Sequence, residues 1–117
     1  MLRKRKRPKM GVRKPSQFRS LEHLRFVRLQ PCNISGSMGH CCIGPMQACH
    51  VRTGTDGGAG VKPSDYHTIS LCAGAHAEQH SIGESAFEKR YGIDMRNIAA
   101  FLWKISPARM RMERENG

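Results

Sequence analysis

The stretch ACHVRTGTDGGAGVKPSDYHTISLCAGAHAEQH, residues 48–80, decides the fold and holds most of the chain's reactive side chains. Its apolar pattern predicts two short strands, QACHVR and HTISLC, with Ile69 and Leu71 pointing inward in the second and a glycine-rich loop between the two. A helix is expected to begin just after Cys72 and to run through AHAEQH. The sequence therefore predicts a small α+β domain in which a two-stranded hairpin precedes a helix.

Histidines lie on both the predicted hairpin and the predicted helix. His50 belongs to the first strand, whereas His76 and His80 are one turn apart on a single face of the helix. Two imidazoles at that spacing can hold one divalent ion, and a histidine from the facing strand can act on a water near it. This arrangement suits phosphodiester hydrolysis.

The cysteines indicate a structural metal. All five cysteines and five of the six histidines fall between Cys32 and His80, and residues 32–48 are rich in Gly, Ser and Cys. A chain of 117 residues with 6% aromatic residues has little core material, which favours a metal brace. The odd number of cysteines and the lack of a signal peptide indicate thiolate ligands in a reducing cytoplasm. No apolar run approaches the roughly 20 residues that span a bilayer, so no membrane partner is expected.

The positive charge is concentrated at the amino-terminal end. The net charge is +11, and eleven of the twenty Lys and Arg residues lie in the first thirty positions beside one acid, Glu22. Residues 1–16 are therefore predicted to be a disordered arm that binds nucleic-acid phosphates, with a solvated tail as the alternative. Met10 is an alternative start. The predicted contacts to nucleic acid are Arg3, Lys4, Arg5, Lys6, Arg7, Arg52 and Lys62.

Further helices are expected on both sides of the central stretch. Ser16 or Ser20 could cap a helix through SLEHLRFVRL. Another is expected in ESAFEKRY, and Asp94 caps a last one, MRNIAAFLWKI, which Pro107 ends. The apolar faces are predicted to be Leu21, Leu24, Val27 and Leu29 in the first helix, and Ile98, Leu102 and Ile105 in the last. The domain is expected to span residues 17–106, followed by a disordered tail over residues 107–117.

The central stretch resembles the HNH nucleases, which have a ββα-metal (His-Me finger) fold, and in particular their Ref-like branch from phages and prophages. The blocks Lys62-Pro63-Ser64-Asp65 and Glu78-Gln79-His80 carry the resemblance, which covers about residues 21–100. It implies a DNA endonuclease with a structural zinc knuckle and a catalytic Mg²⁺ or Mn²⁺, acting on single- or double-stranded DNA in a bacterial host's cytoplasm and nucleoid. Cutting in that branch depends on a recombinase filament, which becomes a candidate partner.

The resemblance also implies roles for individual residues. His50 matches the general base, His67 the middle catalytic position and His76 a catalytic-metal ligand. His80 matches an additional histidine that often follows one helical turn later. The predicted metal ligands are Cys32, Cys41, Cys72, His76 and His80.

Several departures from the family pattern leave alternatives open. The second zinc ligand is Cys41 or Cys42, and the fourth is His40, Cys42, His76 or His80. Ala75 stands where a ligand is usual. Cys49 stands where relatives place Asp or His, and it could instead be a buried apolar side chain. Asp65 could form a turn or reach the metal. These departures favour the alternative function, a non-catalytic zinc-containing module that binds nucleic acid.

Overall fold

Two short strands and five helices make up the part of the chain that the computed structural model describes, residues 17–58 and 60–116. In chain order they are α1 (Leu21–Arg28), β1 (Met46–His50), β2 (Thr68–Cys72), α2 (Ala73–Ile82), α3 (Glu84–Tyr91), α4 (Met95–Lys104) and α5 (Pro107–Asn116). The α+β class and the succession of two strands and a helix are confirmed. Every described helix is too short or too polar to cross a membrane. The predicted arm, residues 1–16, lies outside the described residues.

The two strands form an antiparallel hairpin at the centre of the domain. They pair along their whole length, with His50 opposite Thr68. All five residues of β2 are buried, including Ile69 and Leu71, which the sequence predicted to point inward. Helices α1, α2 and α4 all contact β2, so neither of its faces is left to solvent. The strand therefore carries apolar or hydrogen-bonded side chains throughout.

Helix α1 begins where predicted and buries only part of the predicted face. Ser20 caps the first turn by accepting a hydrogen bond from the N–H of His23 (3.0 Å). Of the predicted apolar face, Val27 is buried and Leu24 is half-buried, but Leu21 and Leu29 are 77% and 76% exposed, so the prediction is only partly right. The buried pair is His23 and Val27, one turn apart. A histidine whose ring nitrogen is hydrogen-bonded can occupy a core position, which the apolar pattern alone does not reveal.

Helices α2, α3 and α4 occupy the predicted segments. Asp94 caps α4, as expected, by accepting a hydrogen bond from the N–H of Asn97 (3.2 Å). The buried face of α4 consists of Met95, Ala99 and Leu102. The predicted stripe of Ile98, Leu102 and Ile105 is thus only partly right. Positions 95, 99 and 102 also follow helical spacing, and the packing against β2 selects their face.

The last segment is a helix, so the prediction of a disordered tail over residues 107–117 is wrong for Pro107–Asn116. Proline at the first helical position donates no hydrogen bond where none is needed, and its backbone angle suits the helix. The hydroxyl of Ser106 accepts a hydrogen bond from the N–H of Ala108 (3.2 Å) and caps the new helix. Pro107 therefore ends one helix and begins the next.

Helix α5 is held against α1 by charge and packing. Arg111 pairs with Glu22 of α1 at 2.8 Å, and Ala108 is fully buried. Within the helix, Arg109 and Glu113 form an ion pair at i and i+4 (2.8 Å). The segment has few apolar residues, so these tertiary and local charge contacts take the place of an apolar stripe.

Replacing Ser106 by alanine is expected to destabilise the domain. Its hydroxyl lies 2.8 Å from Nδ1 of the buried His23, whose Nε2 has no partner among the described residues. Ser106→Ala removes this bond and the α5 cap together, so the free energy of unfolding should fall by about 1–3 kcal/mol in urea denaturation. The control Ser81→Ala, at an exposed position of α2, should change it by no more than about 0.5 kcal/mol. An equal loss of unfolding free energy in Ser106→Ala and Ser81→Ala would contradict this account.

Candidate metal centre and histidine cleft

Three cysteines and one histidine converge where β2 meets α2. The ligand atoms of Cys32, His40, Cys42 and Cys72 all lie within 4.8 Å of one another. Cys32 and Cys72 are buried, His40 is half-buried and Cys42 is exposed, so the group lies at the edge of the core. Sulfur and imidazole nitrogen are the ligands that zinc prefers in proteins. These four side chains could hold a metal ion such as zinc.

The spacing of the ligand atoms fits a tetrahedral site. His40 Nε2 lies 3.9 Å from Cys32 Sγ, 3.4 Å from Cys42 Sγ and 3.7 Å from Cys72 Sγ. Tetrahedral zinc, with bonds of about 2.3 Å to sulfur and about 2.0 Å to nitrogen, sets such atoms about 3.6 Å apart. The observed distances lie on both sides of that value. Three cysteines with one histidine also form a common structural zinc set.

The thiols are crowded in a way that a cation would relieve. Desolvation of its sulfur, together with hydrogen bonds to and repulsion from the neighbouring thiols of Cys32 and Cys72, raises the pKa of Cys42 to about 11. Burial also opposes ionisation of Cys72, but hydrogen bonds from the backbone N–H groups of Ala75 and Ile43 outweigh it and lower the pKa of that thiol. A divalent cation among the sulfurs would favour the thiolate form of all three.

Backbone contacts place two of the ligands at the strand–helix junction. Asn33 donates its N–H to the carbonyl of Ser70 (2.7 Å) and accepts the N–H of Ser70 on Oδ1 (2.6 Å), which fixes Cys32 beside β2. Cys72 ends β2 and is the N-cap of α2, with Sγ accepting the N–H of Ala75 (3.4 Å). Residue 75 thus contributes a backbone N–H to this centre. The HNH pattern that the sequence resembles has a side-chain ligand at this position.

A glycine turn returns the intervening loop to the start of α2. Gly44 has a φ of +82°, a conformation that side chains with a Cβ rarely adopt, and lies close against Ala73. The carbonyls of Ile43 and Pro45 accept hydrogen bonds from the N–H groups of Gly74 and Ala73, both at 2.9 Å. The first N–H groups of α2 are therefore satisfied by the loop that carries His40 and Cys42.

The structure corrects the choice of metal ligands made from the sequence. Cys41 is exposed and lies outside the converging group, whereas Cys42 belongs to it. Adjacent side chains outside a helix point in different directions, so only one of the two cysteines faces the centre. His76 and His80 lie outside this group as well. The fourth member of the converging group is His40, one of the alternatives predicted for the fourth zinc ligand.

A cleft of about 500 Å³ lies between β1, the loop that follows it and α2. Its polar lining consists of His50, Arg52, Thr53, Lys62, His76, Gln79, His80 and Glu84. The strand histidine and the two helix histidines therefore share one cavity. This cavity is distinct from the Cys–His group, which is the only set of three or more converging metal-ligand side chains among the described residues.

A buried carboxylate holds His50. Its Nε2 lies 2.9 Å from Oδ1 of Asp65, which is 2% exposed. Asp65 also accepts hydrogen bonds from the N–H of Ser20 (2.8 Å) and the guanidinium of Arg19 (3.2 Å). Burial opposes ionisation of Asp65, but these partners hold its pKa below the ordinary value. The ionised carboxylate accepts the Nε2 proton of His50, and Nδ1 then carries the lone pair of the neutral ring.

The surroundings of His50 favour its neutral form. Burial lowers its pKa below the ordinary 6.5 and outweighs the opposite effect of Asp65, while Lys62 and Arg19 lower it further. A neutral imidazole held in one tautomer by a carboxylate is in the protonation state that a general base requires.

His76 and His80 meet through their Nε2 atoms. Their Nε2 atoms are 3.0 Å apart, and Nδ1 of His76 lies 2.7 Å from Oε1 of Gln47 on β1. An amide oxygen only accepts, so the Nδ1 of His76 carries the proton and its Nε2 offers a lone pair. Burial, followed by the nearby His80 and His50, lowers the pKa of His76. Gln47 thus orients the His76 ring towards the cleft.

Cys49 belongs to the core. It is 1% exposed, and its thiol donates to Oε1 of Gln79 (3.7 Å). Burial, with a smaller effect of Glu84, raises the pKa of the Cys49 thiol to about 12. Cys49 lies outside the converging Cys–His group and does not line the cleft, which agrees with the alternative that it serves as a buried apolar side chain.

Arg52 and Lys62 line the same cleft as the histidines. The guanidinium of Arg52 donates to the carbonyl of Val61 (3.2 Å). The backbone N–H groups of Arg52 and Thr53 donate to the carboxylate of Glu84 at 2.7 and 2.8 Å, which ties the loop to α3. The other predicted nucleic-acid contacts, Arg3, Lys4, Arg5, Lys6 and Arg7, lie outside the described residues.

His67 does not lie in the cleft. Its Nε2 is 3.7 Å from Oδ1 of Asp56, and its ring lines a separate cavity beside Trp103. The hairpin register gives the reason. Thr68 pairs directly with His50 and shares its face, whereas the neighbouring residue 67 points the other way.

Two residues have roles that the sequence did not assign. From the sequence, Asp65 could form a turn or reach the metal, whereas in the structure it holds His50. Gln47, which has no role predicted from the sequence, orients His76. The only signal for Asp65 was its place in the Lys-Pro-Ser-Asp block. No local pattern in the sequence marks Gln47.

The fold and the sites define a small α+β protein with a candidate Cys–His metal centre. The chain belongs to the family described as "Protein of unknown function (DUF968)", which matches residues 5–107. That match includes all four converging ligands and the histidine cleft. Comparisons with curated proteins and with solved structures found no match. The family description carries no activity, so the function has to be argued from the sites.

The adjacent cysteines at 41 and 42 offer a matched test of the metal centre. Cys42→Ser removes one of four converging ligands, and we expect the purified protein to lose bound zinc and to unfold at a lower temperature. Cys41→Ser should keep about one zinc per chain and the wild-type melting temperature. The zinc content, measured by atomic emission, and the melting temperature, measured by thermal denaturation, show which of the two cysteines is the ligand. Zinc loss in Cys41→Ser with retention in Cys42→Ser would reverse the assignment.

Proposed function

We propose that this chain is a metal-dependent endonuclease of the HNH type, which hydrolyses phosphodiester bonds in DNA. The observation that carries the proposal is the His50–Asp65 pair, which shares one cleft with the converging nitrogens of His76 and His80. The strand–strand–helix order agrees with the resemblance of residues 48–80 to that class of nuclease.

In this proposal His50 is the general base. Its neutral ring would take the proton of the attacking water on Nδ1, because Nε2 is engaged by Asp65. Asp65 would then stabilise the imidazolium that forms. The carboxylate is itself fixed by Ser20 and Arg19, so the base is oriented before substrate arrives.

His76 and His80 are the residues that would hold the catalytic ion. Their Nε2 atoms already lie 3.0 Å apart, and Gln47 fixes the tautomer of His76, which is the usual arrangement of a histidine ligand with its outer partner. A bound divalent ion, Mg²⁺ or Mn²⁺, supplies stabilisation of the charge that develops on the scissile phosphate. Because Mg²⁺ prefers oxygen ligands, the imidazole pair favours Mn²⁺.

Basic side chains on the cleft wall would position the DNA backbone. Arg52 and Lys62 line the cleft, and the basic residues of the amino-terminal arm would add affinity for phosphates without sequence preference. The Cys–His centre would act as a structural brace, with zinc holding the loop of residues 32–45 against α2. A recombinase filament as partner rests on the Ref-like resemblance alone.

The second candidate function is a zinc-containing module that binds nucleic acid without cutting it. One observation favours it. Among the described residues, the His76–His80 pair has no third converging Cys, Asp or Glu ligand, and Cys49 is a buried thiol. Such a module would keep DNA binding and zinc but show no hydrolysis.

Nicking of supercoiled plasmid separates the two candidates. With Mn²⁺ or Mg²⁺ present we expect the wild type to nick the plasmid, and we expect His50→Ala to be slower by about 10²- to 10⁴-fold because the base is lost. The control Met110→Ala changes a partly exposed residue of α5 and should nick at the wild-type rate.

Both variants should retain zinc and the wild-type circular dichroism spectrum, so that a loss of activity is not a loss of fold. If the folded, zinc-loaded wild type binds DNA but does not nick it, with or without a recombinase filament, the binding module is the better description. Equal rates for wild type and His50→Ala would remove His50 as the base.

The pH dependence of nicking should report on His50. Only the neutral ring accepts a proton, so the rate should fall as pH drops through the His50 pKa, with a midpoint below 6.5. Asp65 raises that pKa, so Asp65→Asn should move the midpoint to still lower pH while reducing the plateau rate. A midpoint that moves to higher pH in Asp65→Asn would show that the two residues are not coupled in this way.

A further inference from the structure

A second cavity, of about 210 Å³, lies on the other side of the loop that borders the histidine cleft. Residues 52 and 53 of this loop line the cleft, and the next two residues line the second cavity. The walls of the second cavity include Gly54, Tyr66, His67, Arg96, Ala100 and Trp103. The hydrolysis proposed above makes no use of these side chains.

Three aromatic rings form one side of this cavity. The Tyr66 ring lies 4.6 Å from that of His67 and 5.6 Å from that of Trp103, measured between centroids. Phe18 supports the group, with its ring centroid 5.4 Å from Tyr66 and 5.5 Å from Trp103. Rings that are packed against one another in this way hold each other in place, and three of them line the cavity.

Small residues and a cation complete the walls of the cavity. Arg96, Ala100 and Trp103 follow helical spacing along one face of α4. The guanidinium of Arg96 lies against the backbone of Gly54, where any side chain would collide with it. Gly54 therefore leaves room for the guanidinium of Arg96, which places a positive charge at the edge of the cavity, while the small side chain of Ala100 adds little bulk on the helix side.

We propose that this cavity binds one unpaired nucleobase of a single-stranded segment, next to the phosphate held in the histidine cleft. Aromatic faces stack on bases without sequence preference, and an arginine beside them can hold the adjoining phosphate. The carboxylate of Asp56, 3.7 Å from His67, would repel a phosphate on that side, so the backbone passes on the Arg96 side. The inference rests on the proposed nuclease and specifies its substrate as DNA with an unpaired base.

Trp103 is the only tryptophan in the chain. Its ring lines this cavity and also another one with Arg109 and Met112, so its emission reports on the surroundings of a single side chain. The probe is a labelled oligothymidylate of about twelve nucleotides, titrated into full-length zinc-loaded protein without added Mg²⁺ or Mn²⁺. Label anisotropy measures binding anywhere on the protein, including the basic arm. Quenching of Trp103 measures binding beside this ring, and the Ala100→Leu variant assigns it to the proposed pocket, because Ala100 lines only this one of the two cavities. An abasic strand of the same length supplies the phosphates without the bases.

We expect saturable quenching by oligothymidylate, and little quenching by the abasic strand or by a duplex, although all three raise the anisotropy. Ala100→Leu should fill the cavity from an exposed helix position and raise the oligothymidylate concentration needed for half-quenching by about tenfold. The matched control Ala86→Leu, exposed on α3, should behave like wild type.

Binding by anisotropy without quenching of Trp103 would overturn the base pocket, as would equal quenching by the abasic strand. Quenching that is unchanged in Ala100→Leu would overturn it too. The outcome is independent of the nicking assay. If the protein nicks plasmid but Trp103 is not quenched, the nuclease proposal stands and the base pocket is rejected. If Trp103 is quenched but the protein does not nick plasmid, the base pocket stands and the binding module is supported.

Discussion

The position of Cys72 is the constraint on which the two sites depend. This residue ends β2, caps the first turn of α2 with its sulfur and belongs to the converging Cys–His group. His76 and His80 follow it by four and eight residues on the same helix. Whatever fixes Cys72 therefore also fixes the rotation of α2 about its axis and the direction in which both histidines point. The metal centre and the cleft are thus parts of one arrangement.

Asp65 plays the corresponding role for the other side of the cleft. Its carboxylate joins three segments that are distant in sequence, namely the strand with His50, the loop after it and the chain just before α1. The backbone N–H of Asp65 also donates to the carbonyl of Phe18 (2.9 Å). Because the carboxylate is buried and fully hydrogen-bonded, its partners are held in one geometry. The amino-terminal segment is in this way built into the support of the proposed base.

Local signals were sufficient for most elements, and non-local packing decided the rest. The strands, α2 to α4 and the Asp94 cap follow from spacing and capping chemistry within a few residues. The choice between Cys41 and Cys42 depends on the direction of a loop that no periodicity describes. The position of His67 follows from hairpin register, and one residue of shift changes the face. Helix Pro107–Asn116 has little apolar pattern of its own and depends on contacts with α1.

Helix α1 and its cap contact both the loop before β2 and the carboxyl-terminal part of the described chain. Its cap, Ser20, donates its backbone N–H to Asp65, its second residue, Glu22, pairs with Arg111 of α5, and His23 is hydrogen-bonded to Ser106. Eight residues of helix thus link the support of the cleft to the last helix. In terms of cooperativity, α1 and α5 should open as one unit, and their opening would release Asp65 and with it the orientation of His50. The folding unit is therefore bounded by the segments that contact α1. At the carboxyl end it extends past residue 106 and includes α5.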